Sequence, residues 1–174
     1  MKTFTLFWRM QYPEAKHAFI HAWGTLGTSW GINKAMAQIH ALLLLATEPL
    51  TTEEIMKELR ISRGNANMNL RALMEWGIVK KEHRKGERKE YFSTGKDISD
   101  LARQIARERK RRELDPIIKV LEEVQSVSGE NRKAVNEFKK VSADLLSYTQ
   151  KAESLLSKFA ATDQNWFFRL LTKA

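Results

Sequence analysis

Between Ser62 and Phe92 the chain reads SRGNANMNLRALMEWGIVKKEHRKGERKEYF, a run whose side chains suit reading a nucleic acid better than breaking a bond. Ser62, Arg63, Gly64, Asn65, Asn67, Met68, Asn69 and Arg71 supply amides, small groups and guanidinium groups, with no carboxylate among them. Gly64 lets a backbone approach a phosphate at a helix N-terminus, Asn65 has the donor and acceptor that an adenine edge presents, Arg71 suits guanine or phosphate, and Met68 suits a thymine methyl. At 100° per residue, an inward stripe of Ala66, Leu70 and Leu73 turns Gly64, Asn65, Met68, Arg71, Ala72 and Glu75 outward and leaves Asn67 and Asn69 on the flanks. A merely solvated helix face carries Lys and Glu; this one is nearly uncharged. From Lys80 to Glu90 follow six Lys and Arg against three Glu, with Arg84, Lys85, Arg88 and Lys89 gathered around Gly86. Such a tip reaches a phosphate backbone or a minor groove, although charged hairpin tips also serve solubility alone.

Other residues with chemical potential are weaker candidates. Glu14, His17 and His21 fall at i, i+3 and i+7, so one helical face could offer a carboxylate and two imidazoles to a divalent metal, but no further ligand is identifiable; a polar face or dimer contact is the better reading. No metal site or cofactor is therefore assigned. His40 reads as a satisfied core or interface histidine, and His83 as part of the hairpin. Phe19, Trp23, Trp30 and Trp76 could line an aromatic box for a quaternary ammonium such as choline, whereas helically spaced aromatics are usually core. With no cysteine, thiolate nucleophiles, disulfides and cysteine-ligated zinc are excluded, and no triad spacing, phosphate-cradling glycine loop or metallohydrolase motif occurs. An enzyme is not expected.

These side chains need elements to position them. Pro13 starts a first helix with Phe19, Ala22, Trp23 and Leu26 on one side, ending at the Gly27 to Gly31 break. Asn33 is the expected cap of a second, buried helix through Met36, Ile39, Leu42, Leu43 and Ala46, closed off by Pro49. Thr51 with Glu54 forms a capping-box signature for a short third helix, and Ser62 caps a fourth after only Arg60 and Ile61. Short helix, tight turn and longer helix make a helix-turn-helix pattern, with Gly77 expected as a left-handed cap. The β-rich segments Ile78 to His83 and Lys89 to Ser93 then make a wing.

Asp97 caps a further helix that becomes the basic stretch RERKRRE; its cluster from Arg103 to Glu113, six Lys and Arg with two Glu, reads equally as a linker-helix face or a phosphate contact. Asp115-Pro116 starts or kinks the next helix, which ends before SGEN. Ala134, Phe138, Val141, Leu145, Tyr148, Ala152, Leu155 and Phe159 are spaced 4, 3, 4, 3, 4, 3 and 4 residues apart, a heptad seam that wants a partner helix. NWFFRLL near the C-terminus adds another apolar patch. The expected fold class is mainly α: a winged helix-turn-helix domain with a two-stranded wing over residues 1–96, and a helical, coiled-coil-like dimerisation arm over 97–174.

The 174 residues carry a net charge of +9, and its distribution matters more than its size. Residues 60–115 hold 16 Lys and Arg against nine Asp and Glu, while the flanking thirds stand at five against five and nine against seven. The excess thus lies where the reading helix and wing lie, as a surface meeting phosphates requires. The longest apolar run, Ala41 to Ala46, is far too short to span a bilayer, and Phe4 to Trp8 is too short for a signal sequence, so a cytoplasmic location with no membrane partner is expected.

SWGINKAMAQIHALLLL, Ser29 to Leu45, followed by LTTEEIMKELRISRGNANMNLRALMEWGIVKK, Leu50 to Lys81, resembles the GbsR branch of the MarR-like winged-helix repressors over about residues 20–115. The resemblance implies a homodimer, double-stranded DNA with two half-sites as partner and, in some members, a small-molecule effector. By that analogy Ser62 to Arg71 is the reading segment and Arg84 to Lys89 the wing. The expected function is a sequence-specific dimeric DNA-binding transcriptional regulator, a repressor whose operator binding is modulated by an effector. Two alternatives stay open: a coiled-coil interaction module whose winged helix does not bind DNA, and a non-specific architectural DNA binder.

Overall fold

Asn33 opens the helix around which the N-terminal unit is built: its side-chain oxygen accepts from the backbone N–H of Ala35 at 2.8 Å and of Met36 at 3.3 Å. In the computed structural model, which describes residues 10–161, that helix, α2 (Lys34–Leu45), is flanked by α1 (Tyr12–Ser29), α3 (Thr52–Leu59) and α4 (Arg63–Glu75). Ile39, Leu42 and Leu43 of α2 are buried with Ile55 of α3 and Leu70 of α4, the largest side chains fully removed from water. Each such side chain contributes about 1.5–3 kcal/mol of transfer free energy.

A glycine permits the close approach of α1 to α2. A β-carbon on Gly27 would stand 2.6 Å from Cβ of Ala37, a separation that real carbons do not adopt. Across the same contact Trp23 Nε1 donates to His40 Nδ1 at 3.2 Å.

The sheet is antiparallel, in the order β1 (Leu50–Thr51), β3 (Glu90–Thr94), β2 (Val79–His83). β2 and β3 form the hairpin, in register from Val79 opposite Thr94 to His83 opposite Glu90, and Gly86 with φ of 85° turns its tip. The hairpin gains a third, two-residue strand that the sequence did not announce, because Thr51 both pairs with Tyr91 and caps α3. Phe92, opposite Leu50 and Lys81, is buried and anchors the hairpin to the core. Lys96, just after β3, donates to the carbonyls of Leu43, Leu44 and Ala46 at 2.9, 2.5 and 2.7 Å, satisfying the exposed end of α2.

The chain divides into two compact units between Lys96 and Asp97. In the second, Asp97 caps α5 (Ile98–Arg109), a π-helical turn over Lys110–Leu114 leads into α6 (Asp115–Glu123), and a 3-10 turn (Val124–Ser126) precedes the 30-residue α7 (Arg132–Ala161). α7 packs on α5 and α6. Gln125 Nε2 donates to Ser142 Oγ at 3.1 Å and Lys110 Nζ lies 3.1 Å from Glu153. The NWFFRLL patch and Phe4 to Trp8 lie outside the described residues. No described helix is long and apolar enough to cross a membrane.

His40 makes the N-terminal unit sensitive to acid. Burial, and secondarily the charge of Lys96, lower its pKa from 6.5 to about 4. Above pH 6.5 both folded and unfolded chains hold it neutral. Between 6.5 and 4 only the unfolded chain takes the proton, so stability falls with pH, and below about 4 the loss stops growing. The expected loss across that window is about 3 kcal/mol. Urea unfolding at stepped pH, in the native chain and in His40→Gln, which retains an acceptor for Trp23, measures it: the native curve falls more steeply, and parallel curves would rule this coupling out.

Candidate nucleic-acid interface

Ser62 fixes the start of α4 by accepting from the Asn65 N–H at 3.3 Å, and Gly77, with φ of 66°, follows its end. Inward, Ala66, Leu70 and Leu73 are buried; outward, Gly64, Met68, Arg71 and Glu75 form one exposed stripe, Met68 being 60% exposed. Asn65 and Asn67 are half-buried beside it. No atom lies within 4 Å of where a β-carbon on Gly64 would be, so that stretch of backbone is open to a close approach.

Asn69 departs from its expected flank position. It is only 3% exposed, and its Nδ2 donates to Asn65 O at 2.8 Å and Asn65 Oδ1 at 2.6 Å. Its side chain therefore holds Asn65 rather than facing outward; periodicity alone gave no sign of this, because an amide at i+4 from another amide fits a flank as well as an internal bond. Arg63 is exposed but engaged, 2.8 Å from Glu53 of α3. Two exposed charges in water hold each other by less than about 1 kcal/mol, so exchanging that carboxylate for another anion costs little.

The hairpin stands beside α4. The Glu90 carboxyl is held below its usual range by its hydrogen bond from Lys81, at 2.9 Å, with a smaller contribution from Arg71 of α4. Glu54 is held low first by its bonds from the Thr51 backbone and hydroxyl, then by Lys89 and Arg84. The cations of the hairpin tip thus lie close to the first turn of α3. Arg84 packs 4.1 Å above the Tyr91 ring, whose hydroxyl donates to Glu87. Lys85, Arg88 and Lys89 are exposed, with no ion-pair partner among the described residues.

The second basic cluster is largely neutralised internally. Arg103 pairs with Asp100, Arg109 with Glu113, and Lys110 with Asp115 and Glu153. Glu108, 7% exposed, takes Arg111 at 2.8 Å and lies 3.8 Å from Arg112. Of the two readings of this cluster, the linker-helix face is the one these pairs favour.

The aromatic box does not assemble from its four members. Phe19 and Trp23 stack with centroids 5.7 Å apart, but Trp76 at the end of α4 is a core residue, 9% exposed, and Trp30 is exposed at the end of α1. A cage needs all its ring faces open to one cation; the burial of Trp76 removes one wall. Glu14 is committed to the cap of α1, accepting from Gln11 N, and among the described residues no three His, Asp or Glu stand close enough to hold a metal ion.

The helix-turn-helix, the first strand of the hairpin and its tip fall within one region of known relationship. Residues 30–90 match the model of the MarR family. They form a winged-helix domain similar to that of the MarR family. No curated protein matches the chain. A solved structure described as "Crystal Structure of a transcriptional regulator" is similar at 18% identity and a TM-score of 0.56, over 83% of this chain and 99% of that one, a likeness of fold.

The cap of α4 contributes to the stability of the N-terminal unit. Ser62→Ala removes the acceptor for Asn65 N and is expected to cost about 1 kcal/mol in urea unfolding, with no loss placing that cap outside the stability of the unit.

Proposed function

We propose that this protein is a sequence-specific, dimeric transcriptional repressor of the GbsR-like kind, whose operator binding is modulated by a small effector. Residues 1–96 serve as the DNA-binding unit and 97–174 as the dimerisation arm. The observation that carries the reading is the pairing of an exposed, nearly uncharged helix face, Gly64, Met68 and Arg71 with Asn65 alongside, and a neighbouring hairpin tip with Lys85, Arg88 and Lys89 unpaired. The first suits base edges in a major groove, the second suits phosphates, and specific readers divide their contacts in this way. Ser62 opens the reading helix, Asn67 lies on its flank, and Arg63 and Arg84 add phosphate contacts. Asn69 acts through Asn65.

Dimerisation is supported by the exposed seam of α7. Phe138, Val141, Leu145, Tyr148, Leu155 and Phe159 are between 40% and 71% exposed, with Ala152 on the same line. The opposite side of α7, including Ser142, Leu146, Thr149 and Leu156, is the side packed within the protomer. An apolar line of this length at heptad spacing is covered by a second helix, and two protomers would then present two reading helices to two half-sites.

Fluorescence anisotropy on labelled duplex from upstream of the protein's own gene, against a shuffled duplex and across a salt series, tests this. Upstream DNA is expected to bind on the order of a thousandfold tighter. Arg71→Ala is expected to remove about 1–3 kcal/mol of that discrimination while leaving shuffled binding nearly unchanged. Equal losses on both duplexes would contradict a base-reading Arg71, and equally tight, steeply salt-dependent binding of both duplexes would favour an architectural binder.

A further inference from the structure

Outside the reading face, one concavity in the N-terminal unit brings chemically useful groups together. It measures about 330 Å³ and lies between α1, Gln38 of α2 and the turn that joins α3 to α4. That is near the small end of the range for ligand pockets. Part of its lining is apolar, from Pro13, Ile20 and Leu59, and the rest offers hydrogen-bond donors from His17, His21, Gln38 and Arg60. Glu58 also lines it, but its carboxylate is 2.6 Å from Lys16 Nζ and is neutralised there. Arg60 has no ion-pair partner among the described residues. The uncompensated charge of the cavity is therefore positive.

We propose that this cavity is a binding site for a small amphipathic carboxylate, its apolar body against Pro13, Ile20 and Leu59 and its head group on Arg60. A guanidinium favours a carboxylate over a neutral polar group because it forms charge-assisted, paired hydrogen bonds. This deepens the reading of the protein as an effector-modulated regulator and rests on it for its consequence. Arg60 is the only non-glycine residue with positive φ, 53°, among the described residues; it ends α3 and stands two residues before Ser62, the cap of α4. A side chain is held in that left-handed conformation at a cost, so the turn is a place where a ligand's grip changes the balance between arrangements. A carboxylate on Arg60 acts on the junction of the two helices that must approach DNA together, and is linked to DNA affinity through it.

Isothermal titration calorimetry of the full chain with hexanoate and with neutral hexanamide, in the absence of DNA, tests the site. Saturable hexanoate binding is expected, with hexanamide weaker by about tenfold or more, as the loss of a charged hydrogen-bond partner implies. Arg60→Gly suits the left-handed turn and so keeps the fold, which circular dichroism checks, and is expected to weaken hexanoate by about tenfold. Arg60→Lys, which keeps the charge but not the paired hydrogen bonds, is expected to bind hexanoate with an affinity between those of the native chain and Arg60→Gly. Absence of saturable hexanoate binding, equal binding of hexanamide, or unchanged affinity in Arg60→Gly would overturn the proposal. Because no DNA is present, these outcomes leave the DNA-binding reading untouched, and a failure of that reading leaves the titration standing.

Discussion

The burial of α2 is the constraint on which the N-terminal unit depends. Its apolar surface meets α1 on one side and α3 and α4 on others, and Ile39, Leu42 and Leu43 lose essentially all contact with water. Three polar arrangements follow from that burial. Asn33 satisfies the start of the helix, Lys96 satisfies its end, and His40, forced inside, is held neutral against Trp23. Lys96 joins two of these tasks, since it follows the last strand of the hairpin: the residue that caps α2 also ties the wing to the core, while its charge helps lower the pKa of His40. α4 and the wing thus take their places from one shared support.

Charge in this protein is divided by whether it is answered. The basic run from Arg103 to Arg112 has the highest density of cations, yet Asp100, Glu108, Glu113, Asp115 and Glu153 meet much of it within the second unit. The hairpin tip is less dense but more open, with Lys85, Arg88 and Lys89 exposed. Unanswered charge is what a polyanion senses, so the sparser cluster is the better candidate for a phosphate surface. The same distinction separates Arg60, which has no ion-pair partner among the described residues, from Lys16, which is spent on Glu58 of the cavity lining.

Much of the fold was legible in the sequence because its determinants are local. Asn33, Thr51, Ser62 and Asp97 each cap the helix expected of them, and the stripe Ala66, Leu70 and Leu73 faces inward as its spacing requires. What escaped depends on contacts distant in sequence or on choices that spacing leaves open. β1 is two residues long and exists only through β3, some 40 residues later. Asn69 turns inward to Asn65, a choice between two equally spaced options. Trp76, at the end of α4, lies in the core, as helically spaced aromatics usually do, and not in an aromatic box. The cavity at Arg60 joins α1 to a turn nearly 50 residues away, and no motif marks it. On the outward face of α4 the residue types were visible from the start, whereas the pairing of Arg63 with Glu53 needed the packing of α3 against α4.

Selection from a random duplex pool with the full-length protein tests the central claim most directly, since it presumes no operator. A dimer with two equivalent reading helices predicts enrichment of one motif with two inverted half-sites, their centres about one helical turn of DNA, or a multiple of it, apart. Recovery of a pool with no shared motif, despite binding, would contradict base reading by α4, and a single unpaired half-site would contradict the dimer.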